Sequence, residues 1–250
     1  MLHCRTIIPL LLLAKAGFAE PLTIAVASNF AIPAHELAAR FEKASTHRVR
    51  ITTASTGKLY AQIENGAPFD ILLAADKERP LLLEKSGLGV AGTRFTYAIG
   101  SLVLWSRDPS LSNTDCKSQL EKLGNRRLAI ANPATAPYGV AAMQFLQADG
   151  AWDSVQARLV YGENIAQTLH FVVSGNASLG LIAGAQAKDT RLPESTCRWP
   201  VPLSMHQELE QQAILLQRAS DNEAAADFLG YLRGADAREV ITANGYEMDN

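Results

Sequence analysis

Ser28-Asn29 and Ser55-Thr56 each stand where an apolar, strand-like run gives way to helical spacing, and neither pair carries a charge. Residues 22–27 lead into the first pair, residues 48–53 into the second, and Leu59 and Ile63 follow the second at helical spacing. Three comparable turns occur later: Ala136-Pro137-Tyr138-Gly139, Gly162-Glu163-Asn164-Ile165 and Ala183-Gly184. A helix N-terminus holds backbone N–H groups without partners and a partial positive charge, so each such turn is a potential anion site. Serine and threonine add hydroxyls that either donate to an oxyanion or cap the helix. For Ser55 and Thr56 the turn by itself leaves both uses open. Lys58, one residue into its helix, is the exceptional cation beside these turns.

Donors without formal charge suit a small, fully deprotonated guest. Sulfate, molybdate and tungstate near neutral pH only accept hydrogen bonds, whereas hydrogen phosphate carries a proton and needs an acceptor in its site. A charge-assisted hydrogen bond contributes roughly 1.5–3 kcal/mol. About seven of them, pre-organised, would offset desolvation of a dianion and leave tight binding.

The elements that must position these turns alternate from residue 22 onward. Strands at 22–27, 48–53 and 70–75 interleave with helices at 32–45, after Thr56, and at 77–86, an order that predicts a parallel sheet with helices on both faces. Residues 95–105 form a longer apolar run, able to leave one lobe and enter another. A second alternating set follows: strands at 127–131, 158–161 and 179–183 with helices at 138–148 and 165–174. Strands are expected at 199–203 and 212–217, and helices at 223–232 and 235–243 close the chain. The expected organisation is lobe I from 20–100 plus 206–250 and lobe II from 101–205, with a ligand crevice between them at the carboxyl ends of strands.

The 250 residues are 48% hydrophobic with a formal net charge of −2, enough for a sizeable core and without the basic face that nucleic acid requires. Residues 1–19 read as a secretory signal: a short basic start, an apolar run with four consecutive leucines, and small residues ending at Ala19. The run is too short for a membrane span and Lys15 interrupts it. Cleavage after Ala19 would leave Cys116 and Cys197, an even count that permits a disulfide in an oxidising compartment, with two separate thiols as the alternative.

Several segments together resemble the periplasmic molybdate-binding proteins of ABC uptake systems. They are Ala25-Val-Ala-Ser28-Asn29, Ser55-Thr-Gly-Lys-Leu59, Gln62-Ile-Glu-Asn-Gly-Ala-Pro-Phe-Asp70, Ala74-Ala-Asp76, Ala129-Ile-Ala-Asn-Pro133, Pro137-Tyr-Gly139, Gly150-Ala-Trp152 and Leu179-Gly180. The resemblance covers nearly the whole chain after residue 19. It implies an α/β, two-lobed periplasmic-binding-protein fold of type II, with two mixed, mostly parallel sheets and helices on both faces. It implies a monomeric periplasmic receptor for molybdate and tungstate that docks on an inner-membrane ABC permease, with no cofactor and no covalent chemistry. By the same resemblance Ser28 donates through hydroxyl and N–H, Asn29 beside it serves in some members, and Thr56 or the adjacent Ser55 supplies the second hydroxyl. Tyr138 and Ile165 fall where second-lobe backbone N–H groups meet the anion. Many members place a tyrosine where this chain has Ala183, and Tyr138 is the phenol available to replace it.

The rivals are a receptor for sulfate or another oxyanion, and a secreted hydrolase with Ser28 or Ser55 as nucleophile. The hydrolase needs a histidine and a carboxylate in reach. No crevice turn holds a histidine, and His170 lies about a turn and a half into its helix from Ile165. Gly87-Leu-Gly-Val-Ala-Gly92 follows a helix instead of a strand, so it is a turn and not a dinucleotide loop. The histidines at 35, 47, 170 and 206 show no metal-ligand spacing.

Overall fold

The computed structural model describes residues 21–112 and 114–248, so the expected signal segment at 1–19 lies outside the described residues. In chain order β1 (Leu22–Ala27) runs through a single 3-10 turn, Ser28–Phe30, into α1 (Ala31–Ala44). β2 (Val49–Ala54) leads to α2 (Thr56–Glu64), and β3 (Ile71–Leu73) to α3 (Glu78–Lys85). β4 (Phe95–Gly100) and β5 (Leu102–Ser106) are separated by Ser101 alone. Then come α4 (Cys116–Glu121), β6 (Leu128–Ala131), α5 (Pro137–Ala148), α6 (Trp152–Val155), β7 (Leu159–Gly162), α7 (Ile165–Val173) and β8 (Leu179–Ala183). β9 (Cys197–Pro200), β10 (Leu209–Leu215), α8 (Glu223–Leu232) and α9 (Ala235–Ala243) complete it.

Two five-stranded sheets result, ordered β2-β1-β3-β10-β4 and β7-β6-β8-β5-β9. The chain passes from the first sheet to the second between β4 and β5, and back between β9 and β10. In each sheet the strand that arrives from the other one is the antiparallel member: β10 against β3 and β4, and β5 against β8 and β9. The other pairings between these strands are parallel.

Period-two alternation explains why these strands read as unbroken apolar runs. Leu22, Ile24 and Val26 of β1, with Ile71 and Leu73 of β3, enter the core under α1, α8 and α9, while Ala25 and Leu72 enter the one under α2 and α3. In the second sheet Leu102 and Leu104 face one core, and Val103 and Trp105 the other. A sheet covered on both faces has no polar side to display. On α1 the buried stripe is Ala34, Leu37, Ala38 and Phe41, spaced at three and four residues.

The last two strands begin earlier than their hydrophobicity predicts, at Cys197 and Leu209 instead of 199 and 212. The cause for β10 is Glu210-Gln211, a polar pair that looks like a loop ahead of the expected start at Gln212. Gln211 and Gln212 are nonetheless buried, because their carboxamides find partners inside the fold. Cys116, at the start of α4, is joined to Cys197, at the start of β9, by a disulfide with Cα atoms 5.2 Å apart.

Candidate functional site

The carboxyl ends of β1, β2, β6 and β7 bring four helix-starting turns to one place. A small cavity, about 10 Å³ of space for the centre of a water-sized sphere, lies there between the sheets. Ser28, Asn29, Ser55, Thr56, Tyr138 and Ile165 all line it, and Ala27, Ala75, Ala136 and Pro137 complete the wall. No charged side chain and no histidine is among those ten.

Each donor is held differently. Ser55 stands at the N-cap position of α2 with extended backbone (φ −68°, ψ 148°), yet its hydroxyl makes no capping bond. That Oγ is buried and has no hydrogen-bond partner among the described residues. A buried orphan hydroxyl is costly unless something arrives to meet it, which separates Ser55 from an ordinary cap. Thr56 Oγ1 accepts the Ala75 N–H at 3.0 Å, which orients the hydroxyl and leaves its own hydrogen to give. Ser28 opens the 3-10 turn without a side-chain cap.

In the second half Asn164 caps α7 by accepting from Ala166 N and Gln167 N, both at 3.0 Å. The first helical N–H, that of Ile165, is left without an acceptor among the described residues. α5 starts at Ala136-Pro137 without a side-chain cap, and Gly139 N and Val140 N both return to Ala136 O, so the Tyr138 N–H is likewise free. The Tyr138 phenol is buried, and desolvation holds its pKa well above the ordinary tyrosine value, with Tyr246 and Tyr97 adding to the shift. It is therefore an O–H at any pH the protein meets.

Asn29 is placed differently from the others. Its amide nitrogen spends both hydrogens inside the fold, on Gln211 Oε1 at 2.8 Å and on Tyr246 Oη at 3.1 Å. As a donor it can still offer the cavity only its backbone N–H. Ala183, where a tyrosine was noted as missing, is fully buried, and its N–H goes to Gln186 Oε1 at 3.1 Å.

Two contacts close the cleft over the cavity. Gly57 N donates to Thr135 O at 2.8 Å, and Lys58 Nζ pairs with Glu163 Oε1 at 2.7 Å. The ion pair is exposed and contributes little by itself. The backbone bond demands more, since a Cβ on Gly57 would lie 2.8 Å from Thr135 O and 3.0 Å from Thr135 Cα. Neither Thr135 nor the Gln211, Tyr97 and Tyr246 cluster beneath the site was foreseen from sequence. An isolated polar pair inside a strand run, Gln211-Gln212, is the signal that was there.

Two sheets joined by two crossings, with helix N-termini aimed at an uncharged crevice, define a two-lobed solute receptor. Residues 22–247 match the family described as bacterial extracellular solute-binding protein. The molybdate-binding protein ModA of Azotobacter vinelandii is 45% identical over 95% of this chain and 94% of its own length. That of Rhodobacter capsulatus is 37% identical over 94% and 91%. Among solved structures, the Azotobacter vinelandii periplasmic molybdate-binding protein superposes with a TM-score of 0.86 at 36% identity, covering 92% of this chain and all of that one. The chain belongs to the bacterial extracellular solute-binding proteins.

Replacing Ser55 with alanine gives a two-sided expectation. Oxyanion affinity should fall by roughly 1–3 kcal/mol, while the ligand-free melting temperature should hold or rise, because a buried unsatisfied hydroxyl is removed. Calorimetric titration and a thermal melt without ligand read the two halves. A lower ligand-free melting temperature would mean that Ser55 is a structural cap after all.

Proposed function

We propose that this protein captures molybdate, and tungstate with it, in the cavity between its lobes and presents the closed form to an ABC permease at the inner membrane. The observation that carries this reading is the cavity itself: buried hydroxyl and N–H donors from both sheets, an orphaned Ser55 Oγ, and no ionic side chain. Ser28, Ser55 and Thr56 donate hydroxyls from lobe I, with the Asn29 backbone beside them. Tyr138 donates its phenol and N–H, and Ile165 its N–H, from lobe II. Such a set stabilises a tetrahedral dianion and disfavours hydrogen phosphate, whose proton would find no carboxylate.

Capture then needs nothing beyond differential stabilisation of the closed state, with the anion bonded to both lobes at once. The working lobes are 20–100 with 206–250, and 101–205. The names borne by the relatives support molybdate as the solute. A periplasmic location accords with those names and with the exported start read at residues 1–19; among the described residues no helix is long and apolar enough to cross a membrane. The protein acts as a monomer, without a cofactor and without catalysis, since the donors surround the guest but include no base to activate a serine.

Competition by thermal shift tests the choice of anion. Molybdate and tungstate should raise the melting temperature by more than sulfate at equal concentration, and phosphate should have the smallest effect. A larger shift with sulfate would reassign the solute while leaving the donor chemistry intact.

A further inference from the structure

Gln211 lies on β10, fully buried beneath the cavity but outside its lining. Its partners decide which way the Tyr138 proton points. The order of donors begins at Tyr246, a residue held in place where Ile99 and Glu247 exchange backbone bonds at 2.7 and 3.0 Å. The Tyr246 hydroxyl gives its one hydrogen to Asn29 O at 2.7 Å, so toward Asn29 Nδ2 at 3.1 Å it can only accept. Asn29 Nδ2 gives its other hydrogen to Gln211 Oε1 at 2.8 Å. Tyr97 Oη also approaches that oxygen, at 3.2 Å. Gln211 is thereby held with its oxygen toward Asn29 and its nitrogen toward Tyr138 Oη, 3.5 Å away. An amide nitrogen only donates. The phenol oxygen is the acceptor on that side, and no acceptor among the described residues takes its hydrogen. The direction left is the cavity, where Tyr138 is a lining residue.

A second feature keeps the pair together. Gly100 is the last residue of β4, and a Cβ there would collide with the Tyr138 hydroxyl and sit 2.8 Å from Gln211 Nε2. The crossing between lobes is thus shaped to admit the tyrosine from lobe II against the glutamine of lobe I.

We propose that Gln211 is a positioning residue acting through Tyr138: it makes the phenol a donor only, and so selects fully deprotonated tetrahedral oxyanions over protonated ones. This rests on the oxyanion reading above and deepens it. A hydroxyl free to turn could accept a hydrogen bond from the O–H of hydrogen phosphate; one whose oxygen faces the Gln211 amide and whose hydrogen faces the cavity is set to donate.

The test is a double-mutant cycle of Gln211→Met and Tyr138→Phe, titrated with sodium molybdate and with inorganic phosphate at mildly alkaline pH. Gln211→Met by itself should weaken molybdate binding about tenfold and narrow the preference for molybdate over phosphate. In the Tyr138→Phe background the same change should alter molybdate affinity by less than about twofold. Equal losses in the two backgrounds, or an unchanged preference, would overturn the proposal and leave Gln211 a packing residue. Wild-type protein that is folded yet binds neither molybdate nor another oxyanion would instead remove the functional reading, and the proposal with it. If Gln211→Met yields no folded protein, Gln211→Glu takes its place. It keeps the acceptor facing Asn29 but turns an acceptor toward Tyr138 Oη, so the phenol's hydrogen is drawn away from the cavity. Molybdate affinity should then fall further with Tyr138 present than in the Tyr138→Phe background.

Discussion

Valine in place of Gly57 is expected to weaken molybdate binding by roughly 1–3 kcal/mol, about five- to 150-fold, with the ligand-free protein as stable as before. The reason is that Gly57 meets its obstacle only across the cleft. A Cβ would lie 2.8 Å from Thr135 O and 3.0 Å from Thr135 Cα, backbone atoms that have no rotamer by which to retreat. Thr135 belongs to the turn before α5, whereas Gly57 belongs to the first turn of α2. When the lobes part, the added side chain projects from a half-exposed helix start into solvent and costs nothing. Helix propensity even favours it slightly. The full penalty therefore falls on the closed state, and a ligand's apparent affinity carries that penalty directly. Calorimetry supplies the affinity. Small-angle scattering of the variant with excess molybdate should show a less compact particle than the wild type. Wild-type affinity would mean that closure does not bring Gly57 and Thr135 together.

Removing the disulfide should act on stability and spare the site. Cys116 and Cys197 are 81 residues apart in sequence. Releasing a loop of that length from the unfolded chain costs the folded state roughly 4 kcal/mol in the chain-entropy treatment, a fall of about 10 °C in melting temperature for a protein of this size. The double change Cys116→Ala, Cys197→Ala avoids leaving buried hydroxyls, since both sulfurs sit in the lobe II core with Leu104, Leu111 and Leu120. Molybdate affinity should stay within about twofold of wild type, because neither cysteine lines the cavity. Scanning calorimetry of the ligand-free protein decides it. An unshifted melt would show that the bridge adds nothing to the fold's stability.

Much of the architecture was legible along the chain because both sheets are covered on both faces. Strands such as β1 and β3 then appear as short apolar blocks with turn residues at their ends, and a parallel order follows from the helices between them. The helices α8 and α9 could be bounded to the residue because Asn222 and Gly234 mark where each begins. The strand-to-helix turns could be located for the same reason, since a strand ending in small polar residues before a helix presents donors wherever the sheet is parallel. The choice of six residues within those turns rested on the resemblance to the molybdate-binding family.

Gln211 shows where that legibility stops. Together with Glu210 it made the start of β10 look like loop, since a strand running beneath a polar cleft breaks the hydrophobic pattern that reveals strands elsewhere. Asn29 shows a different limit. Its type and place both suit a ligand, but the spending of its two amide hydrogens on Gln211 and Tyr246 depends on residues 182 and 217 positions away.

From its order of residues this chain determines which groups are available: uncharged hydroxyls and N–H donors at strand ends, with Lys58 and Glu163 the charged residues beside them. That much is local, because strand, turn and helix are each set by a few neighbouring residues. The tertiary structure alone decided which hydroxyl is left waiting, Ser55 with no partner among the described residues and Thr56 already holding Ala75 N. It decided too that Gly57 lies against Thr135 and that Gln211 lies under Tyr138. A hydrogen bond's direction follows from every partner around it, and those partners come from opposite ends of the sequence.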